Sequence, residues 1–325
     1  MVALVCRAWG PPESLNLEAP LADKPGPGEV LVRAEAAALN FADTLFVAGK
    51  YQVKPDFPFT PGFEAAGVVE AIGAGVSHFK PGDRVMVALQ YGGLSSLVVA
   101  PEERVFAISP SLDFQSAAAF PVIYGTSHIG LVTRGNLQSG ETLLVLGATS
   151  GVGLTAIEIG KAMGATVIAQ VRGADKGRVA LQAGADHVVD TSTQDLRDTV
   201  RALAPSGGVD VVYDPIGGDM AEQALRCVNW GSRMLIVGFA AGRIQQIPAN
   251  LLLVKSTSAT GVFWNSHFTH APAKMRQSFA ELATLQEAGK LKPLVRAAVP
   301  VAEYKQAFAM LLDRKEPGKI VLTFA

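Results

Sequence analysis

Leu144-Val-Leu-Gly-Ala-Thr-Ser-Gly-Val-Gly153 is the stretch on which the reading of this chain turns. The run that enters it, Thr142 to Leu146 (TLLVL), is continuously apolar, the pattern of a strand covered on both faces. Beyond it Val152, Ala156, Ile159 and Met163 recur at i, i+4, i+7 and i+11, which lays one apolar face along a helix that Gly164 is suited to end. A strand, a turn of small residues and a helix, in that order, make a phosphate-binding turn. Small side chains let the backbone approach a pyrophosphate, and the helix N-terminus offers free N–H groups and the positive end of its dipole. Aligned on its last glycine, the GxGxxG template falls on Ala148, Ser150 and Gly153, so two of its three glycines are other small residues. An ordinary strand–turn–helix connection shares this local pattern, and the flanking sequence has to separate the two.

Outward toward the C-terminus the rhythm persists. Ala165 to Val171, His187 to Asp190, Val209 to Tyr213 and Met234 to Gly238 read as strands, with Thr257 to Trp264 a candidate sixth. Between them, Lys176 to Ala183, Asp195 to Leu203 and Met220 to Cys227 read as helices. Strands alternating with helices imply a parallel sheet with right-handed crossovers. Before about residue 121 the character differs: Glu29 to Ala36, Ala65 to Ile72 and Arg84 to Ala88 are short β runs, and PGPGEV (25–30) and KPGDRV (80–85) are turn-then-strand signals. The last segment reads as helices at 273–288 and 302–313 and a strand at 319–324, expected to fold back onto the first domain. The chain is therefore read as α/β: a β-rich domain over 1–121 and 265–325, and a doubly wound nucleotide-binding domain over 122–264.

The second strand of that domain ends Gln170-Val171-Arg172-Gly173. An NAD-binding chain carries a carboxylate there for the ribose 2′-hydroxyl. Here Arg172 and Lys176 are the nearby charges, and two cations attract a 2′-phosphate, so NADPH is the expected cofactor. Asp175 is the competing carboxylate, and its position suits the start of the next helix, where a cap or a dipole role is expected. A solvated surface is the plain alternative for Arg172 and Lys176.

Composition excludes several classes. The 325 residues carry 28 basic and 29 acidic side chains, a net charge of −1, and no basic block, which disfavours a nucleic-acid partner. Cys6 and Cys227 are the two cysteines, too few for a disulfide scaffold or a four-cysteine zinc site. Of the five histidines only His267 and His270 lie close together, so no metal site is expected. The N-terminal MVALVCRAWG lacks the marks of a signal peptide, and no apolar run approaches the ~20 residues of a membrane helix. The cytoplasm is the expected location.

Seven stretches, in order along nearly the whole chain, resemble the zeta-crystallin-type NADPH:quinone oxidoreductases of the medium-chain dehydrogenase/reductase superfamily: ALNFADTLFVAGKY (38–51), PFTPGFEAAGVVEAIGAGV (58–76), KPGDRV (80–85), GATSGVG (147–153), VVYDPIGG (211–218), VGFAAG (237–242) and EPGKIVL (316–322). The resemblance implies a GroES-like catalytic domain beside a Rossmann domain, and a homodimer with Thr257 to Phe263 as a candidate interface strand. Zinc-dependent relatives have a Cys in the segment matching Asn40 to Asp43 and a Gly-His-Glu at Gly62 to Glu64. Here the Cys is missing, Phe63 stands for the His, and the cysteine-rich lobe after Val85 is reduced to a short run before Val98. The resemblance further places Phe41, Ala42 and Asp43 beside the nicotinamide, Thr126 on the cofactor, and Gly151 and Val152 on the pyrophosphate. By the same likeness Gly173 and Lys176 hold the 2′-phosphate region. Gly238, Phe239, Ala240 and Ala241, with Phe263, Trp264 and Asn265, line the nicotinamide side, and Arg314 reaches a phosphate. Thr191 and Leu45 replace tyrosines common in the family, while Tyr51 is retained.

These residues give an expected chemistry of hydride transfer from NADPH to a small molecule, a quinone or an activated C=C bond. Asn40, Tyr51 or a backbone N–H would stabilise the resulting oxyanion, with Tyr51 a candidate proton donor, and Asp43 would orient the nicotinamide end. Asn40 and Asp43 equally suit turn capping, and Tyr51 suits packing. Tyr91, Tyr124, Phe263 and Trp264 are, with Tyr51, the aromatic candidates for pocket walls. Enone or enoyl-thioester reduction, or NADPH binding without turnover, are the competing functions.

Overall fold

The computed structural model describes residues 1–313 and 316–324. Contacts divide it into two units, Met1–Val122 with Phe268–Phe279 and Pro293–Ala325, and Ile123–His267 with Ala280–Lys292. In chain order the strands of the first unit are β1 (Ala3–Val5), β2 (Asn16–Glu18), β3 (Glu29–Ala38), β4 (Glu64–Ile72), β5 (Arg84–Ala88), β6 (Leu97–Pro101) and β7 (Val105–Ala107). Those of the second unit are β8 (Thr142–Val145), β9 (Thr166–Val171), β10 (His187–Asp190), β11 (Val209–Asp214), β12 (Val228–Ile236) and β13 (Ser258–Gly261). Two further strands, β14 (Val295–Pro300) and β15 (Lys319–Thr323), return to the first unit.

The second unit is built around β8, whose four residues are all buried. Leu144 pairs in parallel with Ile168 of β9 on one side and Val212 of β11 on the other. The sheet order is β10-β9-β8-β11-β12-β13, so the chain builds outward from β8 in one direction, then restarts beside β8 and builds in the other. Strand order reverses between β8 and β11, and in such sheets ligands settle at the carboxyl ends of the strands at that point. The helix Gly151–Ala162 closes down on the sheet through Gly160, where a Cβ would lie 2.7 Å from Leu143 Cδ2. The candidate sixth strand is present as β13, parallel to β12.

Three elements of the second unit differ from expectation. β12 begins at Val228 rather than Met234, and the preceding helix, expected over 220–227, spans Gly218–Ala224. The early half of β12 escapes sequence reading because residues 229–232 bulge out of register against β11, with Trp230 exposed and Gly231 at φ +75°. A helix at Ala249–Lys255 has no counterpart in the expected elements.

In the first unit β3 is central, antiparallel to β4, β6 and β15. Its pairing with β15, Val321 opposite Ala38, carries Lys319 beyond the end of β3, where its Nζ reaches Leu39 O at 2.7 Å. The β3–β4 register shifts between Ala34 and Ala36. There the two backbones come so close that a Cβ on Gly67 would lie 2.0 Å from Arg33 O. We predict that Gly67→Val destabilises the first unit by about 3 kcal/mol or more, seen as an early melting step or insolubility. A parental melting curve would show that the strands can part.

Candidate functional site

The phosphate turn assembles from both sequence neighbours and distant partners. Ser150 is the N-cap of the helix Gly151–Ala162, its Oγ accepting from Gly153 N at 3.1 Å. Ser150 thus takes a template glycine position and supplies a cap instead. Gly153 is obligatory, since a Cβ there would lie 2.5 Å from Gly147 O. Gln170, absent from the sequence-based candidates, shapes the turn from β9: its Oε1 accepts from Gly147 N at 2.9 Å and its backbone O from Ala148 N at 3.0 Å. Its Nε2 donates to Thr191 Oγ1 at 2.7 Å, the position where a family tyrosine is missing. The N–H groups of Gly151 and Val152, the first two of the helix, donate to no internal partner among the described residues. A buried hydroxyl chain fixes this helix to the one bearing Thr126: Ser127 Oγ lies 2.7 Å from Thr155 Oγ1 and 2.9 Å from Tyr213 Oη.

At the end of β9, Arg172 is exposed and Lys176 half-buried, and among the described residues neither has an ion-pair partner. Gly173 has φ +103° with open space where a Cβ would point, and its N–H donates to Asp190 Oδ1 at 2.9 Å. Asp175 lies in the first turn of the helix Ala174–Gln182 and pairs with Arg178, in keeping with a dipole role. The ends of β11 and β12 run side by side: Ala240 N and Ala241 N donate to Pro215 O and Ile216 O at 3.2 and 3.0 Å. This brings Gly238–Ala241 to the switch-point end of the sheet, with Phe239 and Phe263 both exposed.

Two aromatic assignments need correction. Tyr124 is 1% exposed and donates to Glu158 Oε2 at 2.6 Å, so it is a core residue and not a pocket wall. Trp264 is likewise buried, its indole lying where a Cβ on Gly125 would be 2.5 Å from Nε1. Aromatic content alone cannot separate wall from core; the glycine on the facing helix is the signal that was available. Arg314 lies outside the described residues.

In the first unit the sequence-predicted Asn40 and Asp43 are joined by two residues that sequence reading missed, Glu64 and Lys319. All four side chains are buried. Lys319 Nζ donates to Leu39 O, to Asn40 Oδ1 at 2.6 Å and to Glu64 Oε1 at 2.8 Å. Glu64 Oε1 also accepts from Asn40 Nδ2 at 2.9 Å, and Oε2 from Val122 N at 2.8 Å. Asp43 Oδ2 accepts from Asn40 N at 2.7 Å, which caps the helix Phe41–Val47, whereas Oδ1 has no hydrogen-bond partner among the described residues. Burial pushes the Asp43 carboxyl up to about 7, against the pull of the Asn40 N–H and the Lys319 ammonium and aided by the Glu64 charge. Tyr51 packs on Phe46 and Phe63, ring centroids 5.7 and 5.4 Å away, and burial, then the Asp43 charge, raises its phenol pKa. Phe63 thus fills with an aromatic ring the place where zinc-dependent relatives carry a histidine. Among the described residues no three His, Cys, Asp or Glu side chains are grouped to hold a metal ion.

Because folded Asp43 holds its proton more tightly than the unfolded chain, its contribution to stability is greatest at low pH. That contribution is lost as pH climbs from about 4 to about 7. Asp43→Asn keeps an acceptor for Asn40 N and removes this titration. Its melting temperature relative to the parent should therefore rise by about 3–6 °C between pH 4 and pH 8. Parallel pH curves for the two proteins would show Asp43 to be ionised throughout.

The chain matches the family model for the alcohol dehydrogenase GroES-like domain over residues 26–110 and that for zinc-binding dehydrogenases over 151–284. It is 39% identical over 300 residues to the quinone oxidoreductase-like protein 2 homolog of Nematostella vectensis, covering 91% of this chain and 82% of that protein. With the quinone oxidoreductase of Sus scrofa it shares 30% identity over 325 residues, covering 99% of this chain and 97% of the other. Among solved structures, the Escherichia coli quinone oxidoreductase complexed with NADPH superposes with a TM-score of 0.88 at 29% identity, with 100% of each chain covered. The quinone oxidoreductase of Thermus thermophilus superposes with a TM-score of 0.87 at 30% identity, again over 100% of each chain. Turn, sheet order and relatives agree: the chain belongs to the quinone oxidoreductase-like, zinc-independent branch of the medium-chain dehydrogenase/reductase superfamily.

Proposed function

We propose that this protein reduces quinones with NADPH, without a metal. The observation that carries the cofactor is the pairing of two unclaimed N–H groups, on Gly151 and Val152, with two cations that lack an ion-pair partner among the described residues, Arg172 and Lys176, around an open Gly173. These residues fit a dinucleotide bearing a 2′-phosphate. Gly151 and Val152 hold the pyrophosphate, and Ala148, Ser150 and Gly153 leave room for it. Arg172, Gly173 and Lys176 hold the 2′-phosphate, Thr126 touches the cofactor, and Gly238–Ala241 with Phe263 and Asn265 line its nicotinamide end. Of the first unit's candidates for the nicotinamide, Phe41, Ala42 and Asp43, only Phe41 is exposed, and Asp43 is fully buried as the cap of its helix. The bound nicotinamide supplies the hydride.

The protein's own residues then manage charge. Tyr51 donates from its phenol to the reduced carbonyl oxygen; its raised pKa keeps the proton in place until an oxyanion forms. Asn40 has both ends of its amide engaged by Glu64 and Lys319 at the N-cap of the helix Phe41–Val47, which leaves the donor role to Tyr51. The reading as a homodimer is supported by edge strand β13 and by exposed Trp230, Leu253 and Val254. Among the described residues no helix is long and apolar enough to cross a membrane. A cytoplasmic setting suits two buried, unbridged cysteines.

Chelator-treated protein should oxidise NADPH with an ortho-quinone; turnover with a conjugated enone alone would move it to the alkene reductases. Reversing charge with Arg172→Glu and Lys176→Glu should raise KM for NADPH by roughly 100-fold and leave NADH little changed. Equal loss with both cofactors would dismiss the 2′-phosphate assignment. For Tyr51→Phe we expect kcat to drop by about tenfold or more with KM for NADPH unchanged, and unaltered turnover would remove the phenol from the reaction.

A further inference from the structure

Seven aromatic rings of the first unit are joined in one contact network, and the cluster does not stop at Tyr51. Phe46, fully buried, touches Tyr51 and also Phe59, at 5.4 Å between centroids, and Tyr91, at 6.2 Å. Phe59, 3% exposed, touches Trp9 and Phe57, each at 5.6 Å, and Tyr91 at 6.3 Å. Trp9 and Phe57 meet at 4.7 Å. The buried rings form a base, and on it Trp9, Phe57 and Tyr91 stand 38%, 41% and 41% exposed.

Large apolar side chains exposed singly need no explanation, but three that all rest on one base of buried rings do. The row is rigid at its outer end as well. Trp9 lies against the backbone of Gly49, where a Cβ would be 2.9 Å from the indole, and Gly49 has φ +68°, which an L side chain would strain. Trp9 therefore stays in place without a ligand to order it, as a pre-organised binding wall does. The row begins at the proposed proton donor and ends three ring contacts away. A quinone ring held at Tyr51 cannot also cover Trp9 and Phe57.

We propose that Trp9, Phe57 and Tyr91 form a binding strip for an apolar side chain carried by the quinone, so that the preferred substrates are alkyl- or isoprenyl-substituted quinones. This rests on the reading of Tyr51 as the group at the reacting carbonyl. The three side chains of the strip are aromatic and uncharged, which matches a hydrocarbon chain lying along them. Continuity with Tyr51 makes the occupant part of the substrate.

The experiment compares 2,3-dimethoxy-5-methyl-1,4-benzoquinone with its 6-butyl and 6-hexyl derivatives, at saturating NADPH. The hexyl compound should show a KM about tenfold below that of the unsubstituted ring, in line with the burial of several methylenes. In Trp9→Ala and in Phe57→Ala that advantage should shrink to about twofold, with KM for the unsubstituted ring and for NADPH unchanged. Should Trp9→Ala fail to fold, Phe57→Ala and Tyr91→Ala carry the test, since both side chains stand at the rim. A tail preference that is absent from the parent, or that survives these variants, overturns the proposal. So does binding to phosphatidylcholine vesicles that Trp9→Ala abolishes, because the strip would then be a membrane contact. If the parent turns over none of the three quinones, it is the reading of the function that fails. Retention of the hexyl quinone by the parent and not by Phe57→Ala, in equilibrium dialysis, would still support the strip.

Discussion

Lys319 and Glu64 form an ion pair at 2.8 Å in a part of the first unit that water does not reach. Taking both charges out of water costs several kcal/mol per ion, and attraction alone seldom offsets it. Here every hydrogen of the ammonium is used, on Leu39 O, Asn40 Oδ1 and Glu64 Oε1, and both carboxylate oxygens of Glu64 are met. These contacts join β15, β4 and the entry to the helix Phe41–Val47. Asn40 is thereby held in one orientation, and Asp43, three residues on, is set in the core with one oxygen unmatched. Burial is what raises the Asp43 pKa, and the Glu64 charge adds to it while the Lys319 ammonium opposes it.

The second unit handles charge in the opposite way. It leaves the Gly151 and Val152 N–H groups and the Arg172 and Lys176 charges without an internal partner among the described residues, and uses its hydrogen bonds on the frame around them. Gln170 shapes the turn from the neighbouring strand, Asp190 draws back the Gly173 N–H, and the Ser127–Thr155–Tyr213 hydroxyls hold the helix down. An anion binding there meets dipoles already aligned, so little reorganisation is needed.

The second unit was legible because its signals are local. The apolar run of β8, the 3.6-residue period after it and the small residues between them lie within 22 residues, and Arg172 follows β9 directly. The positions of the small residues also foretold the turn, though not that Ser150 would act as a cap. The first unit is different. Lys319 opens the apolar run KIVLTF and looks like a strand's solvent end; nothing near it in sequence announces Glu64, 255 residues earlier. Asn40 and Asp43 were visible as polar residues in an apolar stretch, but their capping geometry and shared burial come from tertiary packing. Aromatic residues misled for the same reason: Tyr124 and Trp264 differ from Tyr91 and Phe263 only in what faces them.

The span between Glu64 and Lys319 has a consequence for how the chain is made. A ribosome adding about 5–20 residues per second needs roughly 10–50 s to pass from one to the other. In that interval the whole of the second unit is synthesised, and its strands can pair without waiting. β3 and β4 emerge early, with no ammonium yet made to receive the Glu64 carboxylate, so that group has to stay in water until Lys319 arrives. The older sequence in the chain is then the later to reach its native packing, and the nascent first unit is a surface for chaperones while its partner unit already holds its shape.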